Sequence, residues 1–234
     1  MDPQEFLPLL PLWYVVFLLS ITAHEAGHAW AARLGGDETA YLAGQVSLNP
    51  IPHIVREPFG TVVIPLLTFV MNGWMMGWAS APYDPRWEDR HPHRAALMAL
   101  AGPAANLVLA ILAFATLRAG LAAGWWFPAI EIGFDRLVAP VAEQPGVLEP
   151  LGRLLSILLG LNVLLFVFNL IPVPPLDGAS VLAGFFAPAR RLRDAARSSG
   201  IGALIGIVIA WMLIGRIFGL VYHPVLQTLF AGHA

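Results

Sequence analysis

The chain of 234 residues contains no cysteine. That absence removes disulfide frameworks, thiolate zinc sites and cysteine nucleophiles together, so any metal must be held by His, Asp or Glu. Lysine is missing too: all 13 basic residues are arginine, against 15 acidic ones. A net charge of −2 provides no broad basic surface, and no nucleic-acid partner is expected. Charge is scarce altogether, with 12% of residues charged and 58% hydrophobic, where soluble domains run near 25% and about 45–50%. Such a chain is solvated by lipid as well as by water.

The apolar residues are gathered into long runs. Those at about 7–34, 94–118, 151–170 and 200–222 pass the length test for a hydrocarbon core of about 30 Å. The first run lacks the basic flank and small-residue cleavage site of a secretory signal and leads directly into His24 and Glu25, so it is expected in the mature protein. Gly, Asn and Pro punctuation around Tyr41 to Leu48, and prolines at 82, 85 and 92, suggest short β-strands near 40–48 and 78–84. Residues 119–150 combine Trp125, Trp126 and Phe127 with scattered charges and read as membrane interface. The expected fold class is an all-α polytopic membrane protein with about 4–6 transmembrane helices. It forms a single domain over 1–234 with its core at about 15–185.

The first helix carries His24, Glu25, Ala26, Gly27 and His28, an H-E-x-x-H motif. Histidines four apart project from one helical face and reach one metal, while Glu25, about 100° round the helix, is placed to activate water. The plain alternative is a pair of helix-end histidines hydrogen-bonded to neighbours, with Glu25 paired to Arg33 or facing water. Three polar groups inside lipid are nevertheless costly without a use. A catalytic zinc site asks for a third protein ligand. Asp177 is the first candidate, because prolines 172, 174 and 175 end the preceding apolar helix and leave this acid just beyond it. His53, His91, His93 and His223 sit beside prolines in turn-like contexts and are weaker candidates.

These residues resemble the site-2 protease family of intramembrane zinc metalloproteases. Its members pair H-E-x-x-H on one helix with N-x-x-P-x-P-x-L-D-G on another, and here the second element runs intact from Asn169 to Gly178. A third element, G-P-x-x-N, is matched by Gly102 to Asn106, and Ser47-Leu48-Asn49-Pro50 is also similar. The resemblance implies one zinc ion per chain on His24, His28 and Asp177, with Glu25 as catalytic acid/base. It implies that Asn106 and Asn169 bind substrate backbone or loops near the metal, and that substrates are transmembrane proteins or peptides in the bilayer. A homo-oligomer is compatible with it. The chain departs from larger members in having no PDZ domain, no CBS pair and no helix ahead of the H-E-x-x-H helix, as in a compact subgroup. The rival reading, a zinc-binding membrane scaffold or transporter without proteolysis, leaves Glu25 without a purpose. A di-iron oxidase needs several His-x-x-x-His boxes, and only one is present.

A shared metal dictates topology. If 60–80, 94–118 and 151–170 were all full crossings, Asp177 would emerge on the face opposite the histidines. Making 60–84 re-entrant restores parity, and Gly73, Gly77 and Pro82 suit the bend. This arrangement puts Arg33, Arg56, Arg86, Arg90, Arg94, Arg190, Arg191, Arg193 and Arg197 on one face, nine of the thirteen. Arg118, Arg136 and Arg153 fall near the other, with Asp2, Glu5, Glu131, Asp135, Glu143 and Glu149. By the positive-inside rule, the arginine-rich face and the active site lie toward the cytoplasm, in the plasma membrane.

Overall fold

The computed structural model describes residues 6–142 and 146–232, so Asp2, Glu5 and Glu143 lie outside the described residues. Among the described residues, four helices are long and apolar enough to cross a membrane. They are α1 (Leu10–Leu34, entered through a 3-10 turn at Leu7–Leu9), α3 (Pro92–Ala122), α4 (Leu148–Asn169) and α7 (Ile201–Phe230). Between them lie α2 (Ile64–Asn72), the hairpin strands β1 (Trp126–Gly133) and β2 (Arg136–Pro140), α5 (Asp177–Phe185) and α6 (Ala187–Ser198). Prolines open α1, α2, α3 and α6 in the first turn, where a missing N–H costs no helical bond.

α4 is the most enclosed of the four spans and α7 the least. The apolar residues that α3 and α7 leave exposed, such as Val108, Ile111, Leu112, Met212 and Leu213, form the surface a bilayer requires. The chain is therefore an integral, multi-pass membrane protein.

The contacts between helices give their directions. Ser20 of α1 meets Asn162 of α4. Nearer its start, Trp13 of α1 stacks on Phe134 of the hairpin, whose ring packs on Gly160. Nearer its end, α1 meets Asp177, just beyond the end of α4. α1 and α4 thus run the same way. Along α3 the order is reversed, since His24 meets Asn106 and His28 meets Met98. α7 also runs counter to α4, with Gly206 against Pro174 at one end and Arg118 bonded to Leu229 O at the other.

Two parallel spans separated by one antiparallel span require the 59–84 segment to leave and re-enter the same face. It does so. The segment starts with a π-helical turn at Phe59–Val63, continues through α2 and stops at Gly73, whose φ of 74° is the left-handed conformation that favours glycine. The chain then returns extended beside its own helix: Met76 N–H donates to Thr68 Oγ1 (3.0 Å) and Trp78 N–H to Gly60 O (3.1 Å). A Cβ on Gly77 would strike Gly60 O and the Phe17 ring, so glycine is what permits the close return. Asp37, after α1, accepts from Asp84 N–H at 2.8 Å, which brings both ends of the segment to the same end of the bundle.

The expected strands require correction. Residues 40–48 form a helical turn at Thr39–Leu42 followed by tight turns through Gly44, because Gln45 N–H bonds back to Ala40 O at 2.9 Å instead of to a neighbouring strand. Residues 78–84 are extended, but no strand pairs with them among the described residues. The sheet that does form is the β1–β2 hairpin, inside the stretch read as plain interface. Trp126, Leu137, Val138 and Ala139 turn inward from it and close the far end of the bundle. Trp126 Nε1–H donates to Leu148 O and Leu137 N–H to Ser156 Oγ, tying the hairpin to α4.

The natural absence of cysteine makes the topology directly testable. Single replacements Thr39→Cys and Asp89→Cys flank the re-entrant segment, and both should react with an impermeant thiol reagent from the face that labels Ser199→Cys. Ile130→Cys in the hairpin should react only from the other face. Labelling of Thr39→Cys and Asp89→Cys from opposite faces would make 59–84 a full crossing.

Candidate metal centre

α1 presents His24 and His28 on the side that meets α3, and their rings lie edge to face with centroids 4.6 Å apart. The helices approach this closely because small residues line the seam: a Cβ on Gly27 would lie 2.7 Å from Ala101 O. Gly102 serves the histidines directly. A Cβ there would collide with His28 Nε2 and lie 2.7 Å from His24 Nε2.

The outer nitrogens are both committed. His28 Nδ1 is 2.7 Å from Met98 O and His24 Nδ1 is 2.6 Å from Asn106 Oδ1. A carbonyl oxygen only accepts, so each Nδ1 carries a hydrogen, and in the neutral ring that metal binding requires each Nε2 keeps a bare lone pair. Those two Nε2 atoms face each other at 2.9 Å. Asp177 Oδ2, at the first turn of α5, lies 3.1 Å from the first and 3.4 Å from the second, and has no hydrogen-bond donor. Three electron-pair donors thus converge with no hydrogen among them, an arrangement that calls for a cation. Tetrahedral zinc bonds of about 2.0–2.1 Å imply ligand separations near 3.3 Å, which the observed distances approach. The donor set fits zinc.

Glu25 is buried but lines a cavity of about 820 Å³ that also receives His24, His28 and Asp177. No side-chain hydrogen bond among the described residues holds its carboxylate, so it is free to take and return a proton. The walls are mostly apolar, from Ile21, Leu161, Leu165, Phe168, Trp211 and Ile214. The extended stretch from Met75 to Tyr83 forms one side.

Asn169 lines the same cavity and donates through Nδ2 to Leu165 O at 3.0 Å, leaving its carbonyl oxygen available. Asn106 sits elsewhere. It is wholly buried, does not reach the cavity, and spends its amide on His24, Ser20 O and Asn162 Oδ1. The structure places Asn106 against His24, away from the cavity in which a substrate contact was expected. His53 is bonded to Ser47 O, His91 to Trp87 O and His223 to Gln227, while His93 stacks on Phe185; none joins the centre.

A family model described as Peptidase family M50 matches residues 12–213. The chain belongs to that family. This is the site-2 protease family that the motifs resemble. Among curated relatives it is 33% identical over 189 residues to a Bacillus subtilis protein provisionally named zinc metalloprotease YwhC, covering 80% of this chain and 74% of the relative. It is 27% identical over 221 residues to the Mycolicibacterium smegmatis protein provisionally named zinc metalloprotease Rip2, covering 94% and 75%. The Mycobacterium tuberculosis Rip2 is 30% identical over 207 residues, covering 88% and 70%. No solved structure matches.

Sequence reasoning overlooked Asn162 and Ser20. The available signal was that Asn162 is the only polar side chain between Ile157 and Phe168, in the middle of a membrane span. The role of Gly102 yields a sharp expectation. Gly102→Ala should weaken zinc binding at least about tenfold, as loss of ligand geometry does elsewhere, in a competition titration against a chromogenic chelator. Native affinity in that variant would mean that the histidines can step aside without losing the metal.

Proposed function

We propose that the chain is an intramembrane zinc metalloprotease that hydrolyses peptide bonds in or near transmembrane segments of membrane proteins or hydrophobic peptides. The observation that carries this reading is the convergence of three hydrogen-free electron-pair donors beside an unbonded glutamate, in an apolar cavity between membrane-spanning helices. His24, His28 and Asp177 would hold one zinc ion. Bound there, zinc supplies Lewis-acid polarisation of the scissile carbonyl and favours deprotonation of water.

Glu25 takes the proton as water oxygen bonds to the carbonyl carbon, then delivers it to the amide nitrogen as the C–N bond breaks, giving a carboxylic acid and an amine that settle as carboxylate and ammonium. Substrate must be extended to expose that carbonyl, because a helix hides it in a hydrogen bond. The unpaired stretch 79–82 offers backbone groups for such a strand, and the Asn169 carbonyl offers one more acceptor. The nine arginines at the site end favour the cytoplasmic face of a plasma membrane.

The test is cleavage of a panel of single-span membrane proteins by the purified detergent-solubilised chain. Glu25→Gln should keep its zinc but lose activity by about 10²–10⁴-fold, the usual worth of a general acid–base, and chelation should abolish cutting in the native chain. Equal cutting by both forms would trace activity to a contaminant. Stoichiometric zinc without cleavage of any substrate would favour a zinc-binding membrane protein without proteolysis.

A further inference from the structure

We propose that Asn162 is a positioning residue that, acting through Asn106, selects the His24 tautomer able to bind metal. The inference rests on the zinc-protease reading of the centre and concerns a residue on a third helix that touches neither cavity nor ligand.

Asn162 is fully buried in α4, and its Nδ2 donates to two oxygens, Leu158 O at 2.9 Å and Ser20 Oγ at 2.8 Å. The Ser20 hydroxyl hydrogen is already given to Val16 O at 2.7 Å, so Ser20 Oγ can only accept here. Turning the Asn162 amide over would set its oxygen against Ser20 Oγ and Leu158 O with no hydrogen between them, and inside a bilayer no water repairs that loss. Its orientation is therefore fixed, and Oδ1 faces Asn106 Nδ2 at 2.8 Å.

Asn106 is fixed in turn. Its Nδ2 has acceptors on one side, Asn162 Oδ1 and Ser20 O at 3.1 Å, so its Oδ1 must face His24 Nδ1. His24 must then donate from Nδ1 and keep the Nε2 lone pair for the metal. With Asn106 reversed, its NH2 would face Nδ1, the ring hydrogen would move to Nε2, and the ligand would be lost. The chain of directions runs from Val16 O to His24 without a free choice. His28 needs no such relay, because Met98 O is a backbone acceptor that cannot turn.

The experiment measures zinc affinity of the purified full chain by chelator competition for native protein, Asn162→Leu, Asn106→Leu and the double variant, with thermal unfolding of the metal-free forms recorded alongside. Asn162→Leu should weaken zinc about 10–100-fold, the usual effect of losing an outer-shell partner. The double variant should bind no more weakly than Asn106→Leu alone, since Asn162 has no other route to His24. Asn162→Asp serves as rescue: desolvation favours its neutral acid, which keeps an acceptor toward Asn106 and a donor toward Ser20, so affinity should return to within about threefold of native. Native zinc affinity in Asn162→Leu, losses that add in the double variant, or an aspartate as weak as leucine would each overturn the proposal. These leave the zinc reading standing, whereas a native chain that binds no zinc would remove both.

Discussion

The convergence of His24 Nε2, His28 Nε2 and Asp177 Oδ2, all within 3.4 Å of one another, is the constraint on which the arrangement of the spans rests. A cation held by all three would join two separate elements of the chain, so folding of the centre and metal binding would be linked. Because two donors come from α1 and the third from the start of α5, the ends of α1 and α4 must reach one membrane face. That requirement makes α1 and α4 parallel and the 59–84 segment re-entrant.

Close approach is what the sequence's glycines supply. Gly27 and Gly102 sit where α1 meets α3, and Gly178 follows Asp177 so near to Leu170 O that a side chain would collide with it. At each of these points a larger residue would push apart the elements that carry His24, His28 and Asp177. In a bundle with no hydrophobic drive between helices, such small-residue seams and buried polar contacts are the principal means of fixing helix positions. The Asn162–Asn106–Ser20 cluster serves that packing role as well as orienting His24.

Legibility followed periodicity and motif. The four spans were readable because runs of apolar residues long enough to cross lipid have few alternatives, and the H-E-x-x-H spacing needs only a regular helix to bring two rings together. Asp177 was readable because the prolines before it end one helix and leave an acid at a membrane face. The strands were misread because Gly and Pro mark interruptions without saying what replaces the helix. At Tyr41 to Leu48 local backbone bonds won, and at Trp78 the extended chain found only its own helix to pair with. The hairpin was missed because its strand does not alternate, Ile130, Glu131 and Ile132 all being exposed, and an interface rich in Trp and charge looks the same folded or loose. The hold of Asn106 on His24 depends on which way α3 faces, which no spacing rule specifies.

The extended stretch is held with unusual firmness for an unpaired segment. Thr68 and Gly60 grip its beginning, and Asp37 takes the Asp84 N–H at its end. Glu57 accepts from Ser80 Oγ at 2.6 Å in between. Just beyond, the buried carboxylate of Glu88 is clasped by Arg193 and Arg197, tying the following helical turn to α6 and so to the segment that carries Asp177. A buried ion pair of this kind adds little net stability but fixes register, because breaking it leaves a charge unpaired. Between these anchors no backbone hydrogen bond engages residues 79–82 among the described residues. Under the proposed reading, a strand prepared in this way binds an unwound substrate with less ordering cost than a mobile loop would. The same network ties that stretch to the segment that carries Asp177.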